Sequence, residues 1–327
     1  MLFLKYIRWS WALVLMAPSM CVFAQAKPQK NNFSALTQVV SSTTASALSS
    51  SYLSSMLGGM GVLRWRIGEG GLQDHGMGGT TASAEDSPWS VWGTPVRSSF
   101  DNNIAPITSR GYVTLAIAGL EYRDDGPWMG GISLSIDDLS AQTTYNAGVL
   151  TGQGYTLAPY LVYQASPTRA FDFSYGRGQS NLSHHSAGVT SQPRDQRMLA
   201  SMGVTDIHEL GKTLVMLKAS YSVISDKVPS FTSSDGTLND ATSTKLNQTK
   251  LGAQWMFPMG NFSPFVAYYK LMNDFSATGG LLQPKEYSVS GQYQLGLNAS
   301  AGDFFGALVA QSEKDRKQLR AYVGVRY

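Results

Sequence analysis

The chain has 327 residues, 43% of them hydrophobic and only 14% charged, against roughly 25% charged in an ordinary globular protein. That length and apolar content exclude a disordered tail and leave room for one large barrel or two ordinary domains. Glycine (33 residues), Ser, Thr and an 11% aromatic share replace the missing charge, and the net charge of +3 is scattered with no Lys/Arg-rich run, which excludes a nucleic-acid surface.

The chain opens with a secretory pattern. Lys5 and Arg8 form a positive region, residues 9–16 an apolar core, and Ala24-Gln25-Ala26 a small-x-small cleavage site. Residues 1–26 are therefore expected to be a signal peptide. The single cysteine, Cys21, lies inside it, and Met20 before it is too large for a lipoprotein cleavage box. The expected mature chain has no disulfide. Beyond residue 26 nothing approaches the roughly 18 consecutive apolar residues of a spanning helix, so a membrane location would have to use strands.

Residues 27–86 form a Ser/Thr-rich and then Gly-rich region. Phe33, Leu36, Val40, Ala47, Tyr52 and Met56 recur at helical spacing before Gly58-Gly59, which predicts a helix over 33–57. Ten of the fifteen residues in 41–55 are Ser or Thr, so a flexible linker is the alternative.

From residue 87 to 327 the pattern changes to period two. Over 287–299 one parity reads Tyr287, Val289, Gly291, Tyr293, Leu295, Leu297 and Ala299, and the other Ser288, Ser290, Gln292, Gln294, Gly296 and Asn298. Leu319, Ala321, Val323 and Val325 alternate in the same way with Arg320, Tyr322, Gly324 and Arg326, and Ile132, Leu134 and Ile136 with Ser133, Ser135 and Asp137. The apolar parity is assigned to lipid. The lumen is assigned the polar one, including Asp137, Asp172, Gln254, Arg320 and Arg326. Short turns are expected at 124–127, 164–168, 208–212, 258–261 and 299–303, and longer polar loops at 100–110, 142–154, 180–197, 226–245, 273–286 and 311–317. Short connections at one end and long ones at the other, over twelve strands, predict a 12-stranded antiparallel transmembrane β-barrel. Trp89, Trp128, Tyr163 and Phe257 are its expected interfacial girdles.

These residues resemble the translocator domain of autotransporters. The resemblance rests on 202–236, with Gly211-Lys212-Thr213-Leu214 opening a strand and Ala219-Ser220-Tyr221-Ser222-Val223 closing it, on Gly260-Asn261-Phe262-Ser263-Pro264-Phe265-Val266, and on 291–327 with its closing Tyr322-Val323-Gly324-Val325-Arg326-Tyr327. It implies an outer-membrane barrel whose lumen is plugged by the 33–57 helix, with the barrel-assembly machinery recognising the C-terminal strand at Tyr327. Tyr stands where the family usually ends in Phe or Trp. Asn31-Asn32 resembles the paired asparagines at which some members cleave themselves. Only about 60 residues would separate signal from barrel, so no long passenger is expected.

Candidate chemistry is sparse. His184, Ser186 and Gly188 form an H-x-S-x-G string similar to that of outer-membrane phospholipase A, but 180–197 reads as a loop in which Pro193-Arg194-Asp195-Gln196 replaces the segment that should orient the His. His184-His185 with Asp195 falls short of metal-site spacing, as does Asp74-His75, and Gly68-Glu69-Gly70-Gly71 lacks the Lys-Ser/Thr of a phosphate loop. The expectation is a barrel without enzymatic, cofactor or metal residues, probed by its neighbours only: outer-membrane lipid and lipopolysaccharide, as a monomer of a Gram-negative outer membrane. It acts as a structural or surface-exposed barrel or a plugged pore. The alternatives left open are a small passive diffusion channel, an adhesin acting through long loops, and a phospholipase using His184 and Ser186.

Overall fold

The computed structural model describes residues 88–102, 109–123, 126–143, 147–279 and 285–326. The signal segment, Asn31-Asn32, the 33–57 helix, the linker to 86, the lumen assignment of Arg326, and Tyr327 lie outside them.

Alternation makes strands wherever it was expected. In chain order they are β1 (Trp89–Asn102), β2 (Ser109–Arg123), β3 (Trp128–Thr143), β4 (Gly148–Ser166), β5 (Arg169–Ser186), the short β6 (Val189–Ser191), β7 (Arg194–Leu210), β8 (Thr213–Val228), the short pair β9 (Phe231–Thr232) and β10 (Leu238–Asn239), β11 (Thr242–Met256), β12 (Phe262–Thr278), β13 (Lys285–Ala301), β14 (Phe304–Glu313) and β15 (Arg316–Arg326). Each of the twelve long strands pairs antiparallel with its sequence neighbours, and β1 pairs with β15, closing the barrel. Closure satisfies every strand edge from within, which is what a bilayer demands of a backbone. It also explains stability without a disulfide.

The strands are longer than a bilayer requires. Most run 14–19 residues, against the roughly 9–11 that cross it. The outward side chains show where the crossing is. On β3 they read Trp128, Gly130, Ile132, Leu134 and Ile136, then turn polar at Asp138 and Gln142; on β4 they read Tyr163, Leu161, Pro159, Leu157 and Tyr155, then Gln153 and Thr151. The apolar belt is thus about nine residues deep, and the remainder of each strand stands beyond it as a polar-faced extension at the loop end. The expected girdle residues Trp89, Trp128, Tyr163 and Phe257 are all exposed at the turn side of the belt, where Trp128 meets Tyr163 (centroids 4.5 Å apart) and Trp89 meets Tyr122 (4.9 Å).

Because strands continue into the expected loops, several loop assignments are corrected. The 311–317 segment is a two-residue turn, Lys314-Asp315, between β14 and β15, and the Asp315 carbonyl accepts the Asp101 N–H (3.0 Å). The 180–197 segment is the end of β5, a tight turn and the short β6, which folds back so that His184 opposes Ser191. The 226–245 segment holds the β9–β10 hairpin, its turn pinned by Asp235, which accepts the Thr237 N–H (3.0 Å) and hydroxyl (2.9 Å); those two donors hold the Asp235 carboxyl below its usual range. The two hairpins dock: Ser234 N–H donates to the Thr190 carbonyl (2.9 Å), Thr190 N–H to Ser234 Oγ (2.9 Å), and the Ser191 and Ser233 hydroxyls share a bond of 2.7 Å.

The seam between β1 and β15 carries a local gap. Its register is continuous from Ser90↔Arg326 to Phe100↔Arg316 except at Thr94 and Pro95. Pro95 has no N–H to donate, while its pairing with β2 is intact. Gly93, Pro95 and Ala116 leave a groove of about 550 Å3 in the outer wall here, closed at its side by Val323 and Phe304.

The face assignment gives a first prediction. Val323 points outward, 61% exposed within the belt. Val323→Lys should cost about 2–4 kcal/mol near the midplane and reduce the unheated, fast-migrating gel form, whereas Val323→Ala should not; equal yields of that form would show the register to be wrong. The neighbouring Gly324 is no neutral comparison, because the Phe305 ring lies where its Cβ would be.

Candidate functional site: the lumen

The inward parity was expected to be small and polar. Polar residues do line it on the C-terminal strands, at Gln248, Gln254, Gln292, Gln294, Gln311, Gln318 and Arg320, and the inward placement of Asp137, Asp172, Gln254 and Arg320 holds. On the N-terminal strands it is met in part: Ser90, Thr94, Ser98, Ser133, Ser135 and Thr156 point inward, but apolar residues stand among them. Trp92, Val96 and Phe100 of β1, Val113, Leu115 and Ile117 of β2, Leu139 of β3 and Leu150 of β4 all point inward, each at most 6% exposed. Inward apolar side chains also occur on the C-terminal strands, as at Phe265, Leu271, Phe275 and Phe305, so the wall is mixed throughout, with its glutamines gathered in an amide-rich polar sector on β11 and β13–β15.

Large inward side chains lie flat across glycines on the paired strand. Trp92 covers its partner Gly119, and Phe305 covers Gly324. A Cβ at either position would collide with the ring, so glycine is required for close approach. Trp92 also stacks on Tyr322 (5.7 Å) and donates from Nε1 to the Tyr160 hydroxyl (3.0 Å), which donates to Glu121 (2.9 Å), joined there by Ser90 Oγ (3.3 Å). This network ties β1, β2, β4 and β15 together at the turn end.

Toward the loop end one guanidinium gathers three carboxylates. Arg197 of β7 meets Asp137 of β3 (Nη1, 3.1 Å), Asp226 of β8 (Nε, 3.3 Å) and Asp195 of β7 (Nη2, 3.8 Å), all with side chains at most 2% exposed. β3 and β7 are not neighbours, since β4 and β5 lie between them. At about 4.8 Å per strand the wall between them spans about 14 Å, and the pair reaches across it over small residues. A Cβ at Gly154 would meet the Asp137 oxygens at 2.9 and 3.0 Å, and Ser180 beside it donates to Asp195 (3.4 Å). The knot carries one positive and three acidic groups in the upper lumen.

A second charged group lies nearer the turns: Lys218 is eight residues below Asp226 on β8, about 26 Å along the strand. Here Lys218, Lys250 of β11 and Arg320 of β15 are within electrostatic range of one another, with Asp172 facing Lys218 and Glu313 facing Lys250. Lys250 donates to Gln292 (2.7 Å) and sits 4.0 Å from the centre of the Tyr269 ring; Gln294 donates to Gln292 (3.1 Å) and Gln311 (3.0 Å). Sequence reading found Arg320 from its parity. It missed Arg197, Lys218 and Lys250, whose partners come from strands far apart in sequence.

His184 and Ser186 are on β5, not in a loop, and both point inward at 4% and 2% exposure. They share the face that an i, i+2 spacing requires. That face is the lumen, away from the lipid belt. Asp195 is also inward but is taken up by Arg197 and Ser180. Among the described residues no group of three His, Cys, Asp or Glu has a geometry that would hold a metal ion.

No protein-family model matches the chain, and no curated protein matches it in sequence. Solved structures do match its fold. The translocator domain of the autotransporter NalP from Neisseria meningitidis aligns with a TM-score of 0.59 at 12% identity, over 84% of this chain and 99% of that one. The transport unit of the autotransporter AIDA-I from Escherichia coli aligns at 0.56 and 14% identity, over 77% and 94%. The β domain of the Bordetella autotransporter BrkA aligns at 0.53 and 16%, over 74% and 99%. The described barrel has the fold of an autotransporter translocator domain.

Proposed function

We propose that the chain is an outer-membrane protein in which residues 33–57 close the lumen of an autotransporter-type barrel, leaving a plugged pore that presents a structured outer rim. The observation that carries this reading is the buried apolar residues of the inner wall: Val113 is 0%, Leu115 1% and Leu150 0% exposed. A barrel of about eight strands is filled by its own side chains; twelve enclose more than they can fill. An apolar wall facing water would be costly, and Phe33, Leu36, Val40 and Tyr52 supply an apolar surface to set against it. Hydroxyls over 41–55 would face the amide-rich sector. The outward belt and closed backbone support the membrane location.

The test is fractionation and planar-bilayer conductance of the chain from residue 27, refolded in detergent. The barrel is expected in outer-membrane fractions, with altered mobility before heating and little steady conductance. A soluble periplasmic form would defeat the membrane reading, and a steady open pore would replace the plug by a diffusion channel.

The chain is further read as non-enzymatic. Ser186→Ala and His184→Ala are expected to leave lipid hydrolysis by the refolded protein, assayed with calcium, at the level of the unsubstituted chain. Robust hydrolysis abolished by both substitutions would instead make them a catalytic pair.

A further inference from the structure

Arg320 and Gln311 are both more than nine-tenths buried, yet each holds a donor that no acceptor meets: Arg320 Nη1 and Gln311 Nε2. Gln311 pairs with Gln318 across β14 and β15, so Arg320 is its diagonal inward neighbour, with Cα atoms about 7–8 Å apart. Lys250 lies within electrostatic range of Arg320 from across the polar sector. Unmet donors on a buried cation and a buried amide, aimed into one lumen, ask for an acceptor that carries negative charge.

Among the described residues two carboxylates lie nearby, each with one unmet oxygen (Asp172 Oδ1 and Glu313 Oε2), yet neither bonds to these donors. Of the two nearby carboxylates, Asp172 faces Lys218, and Glu313 is held by the Ser290 hydroxyl (3.0 Å) while facing Lys250. Among the described residues of this group, three basic side chains (Lys218, Lys250 and Arg320) stand against two acidic ones (Asp172 and Glu313), an excess of one base. Residues 33–57 cannot neutralise it either, because they contain no charged residue.

We propose that Arg320, Lys250 and Gln311 form a lumenal binding site for a small oxyanion of the phosphate or carboxylate class. Arg320 supplies a charge-assisted bond from Nη1, Gln311 a neutral one from Nε2, and Lys250, which keeps its bond to Gln292, two further donors on a flexible stem. Rings and clusters of Arg and Lys are what make a pore favour anions. The site deepens the plugged-lumen reading and rests on it for the uncharged occupant beside it.

The experiment is calorimetric titration of the full refolded chain with inorganic phosphate, in a phosphate-free, uncharged detergent. Saturable binding is expected in the millimolar range or tighter. Arg320→Gln should weaken it about tenfold or more, the weight of one charge-assisted hydrogen bond, and Lys250→Gln should weaken it as well. Arg320→Lys, which keeps the charge but loses the fork, should fall between. Arg97→Gln removes an outward cation that lies 4.7 Å from the centre of the Tyr112 ring, and should change nothing. Competition by phosphatidylglycerol in mixed micelles would identify a lipid headgroup as the source of the anion; its absence would identify a free anion.

Folded protein that shows no saturable phosphate binding would overturn the site, leaving water as the partner of both donors. Binding untouched by Arg320→Gln and Lys250→Gln would place the anion elsewhere and overturn it equally. If Arg320→Gln does not give the heat-modifiable form, Lys250→Gln and Arg320→Lys carry the same comparison. Failure of the plug reads out separately, as full-chain conductance equal to that of a chain lacking 33–57, with phosphate binding retained.

Discussion

Deleting residues 33–57 is expected to leave a folded barrel that conducts several-fold more than the full chain, an order of magnitude set by the cross-section freed if that segment, as proposed, fills the twelve-stranded lumen. The strands keep their ladder without it, because β1 pairs with β15 and every other strand with its neighbours. On the same proposal some stability should be lost, since the segment would cover Val113, Leu115 and Leu150 in the full chain. The heat-modifiable gel form should therefore persist but convert at a lower temperature. Conductance in planar bilayers reads the outcome. A folded deletion with unchanged conductance would mean that the segment lies outside the barrel, and a full chain already open would mean the same from the other direction.

Removing Arg197 should have the largest effect on stability of any single substitution considered. Arg197→Ala leaves Asp137, Asp195 and Asp226 together without their common cation, in a place where their side chains are at most 2% exposed. Breaking a buried pair by deleting one partner costs about 3–5 kcal/mol, because the other charge stays buried and uncompensated. Arg197→Lys should recover only part of this, since one ammonium cannot reach Asp137 and Asp226 along two different edges as the guanidinium does. The sign of the coupling is a sharper check than its size. Arg197→Ala combined with Asp226→Asn should be less destabilised than Arg197→Ala alone, as one of the repelling carboxylates is gone. Simple additivity, measured from the temperature at which the unheated gel form is lost, would show that the four groups do not act as one unit. The same substitution removes a tie between β3 and β7 along the lumen wall, so conductance noise should rise with it.

Alternation together with the order of short and long connections pointed to a membrane barrel of twelve strands, and alternation assigned which residues face lipid. Ile132, Leu134 and Ile136, or Leu319 and Val323, can only point one way once their neighbours Ser133, Ser135 and Arg320 point the other, because side chains alternate strictly along a strand. The strand count followed from the turn chemistry between such runs. Loop lengths did not follow, because polar outward residues such as Asp138, Gln153 and Asn181 read as loop when they are strand standing above the bilayer; polarity marks contact with water, not the end of a ladder. The character of the lumen was decided by tertiary structure. An inward Trp92 or Phe305 carries the same letter as a lipid-facing ring, and only the partner glycine across the strand shows that there is room for it inside. Arg197 found its three carboxylates, and Arg320 its place near Lys250, through the closure of the sheet into a cylinder, which brings β3 to β7 and β11 to β15 at distances no local pattern encodes.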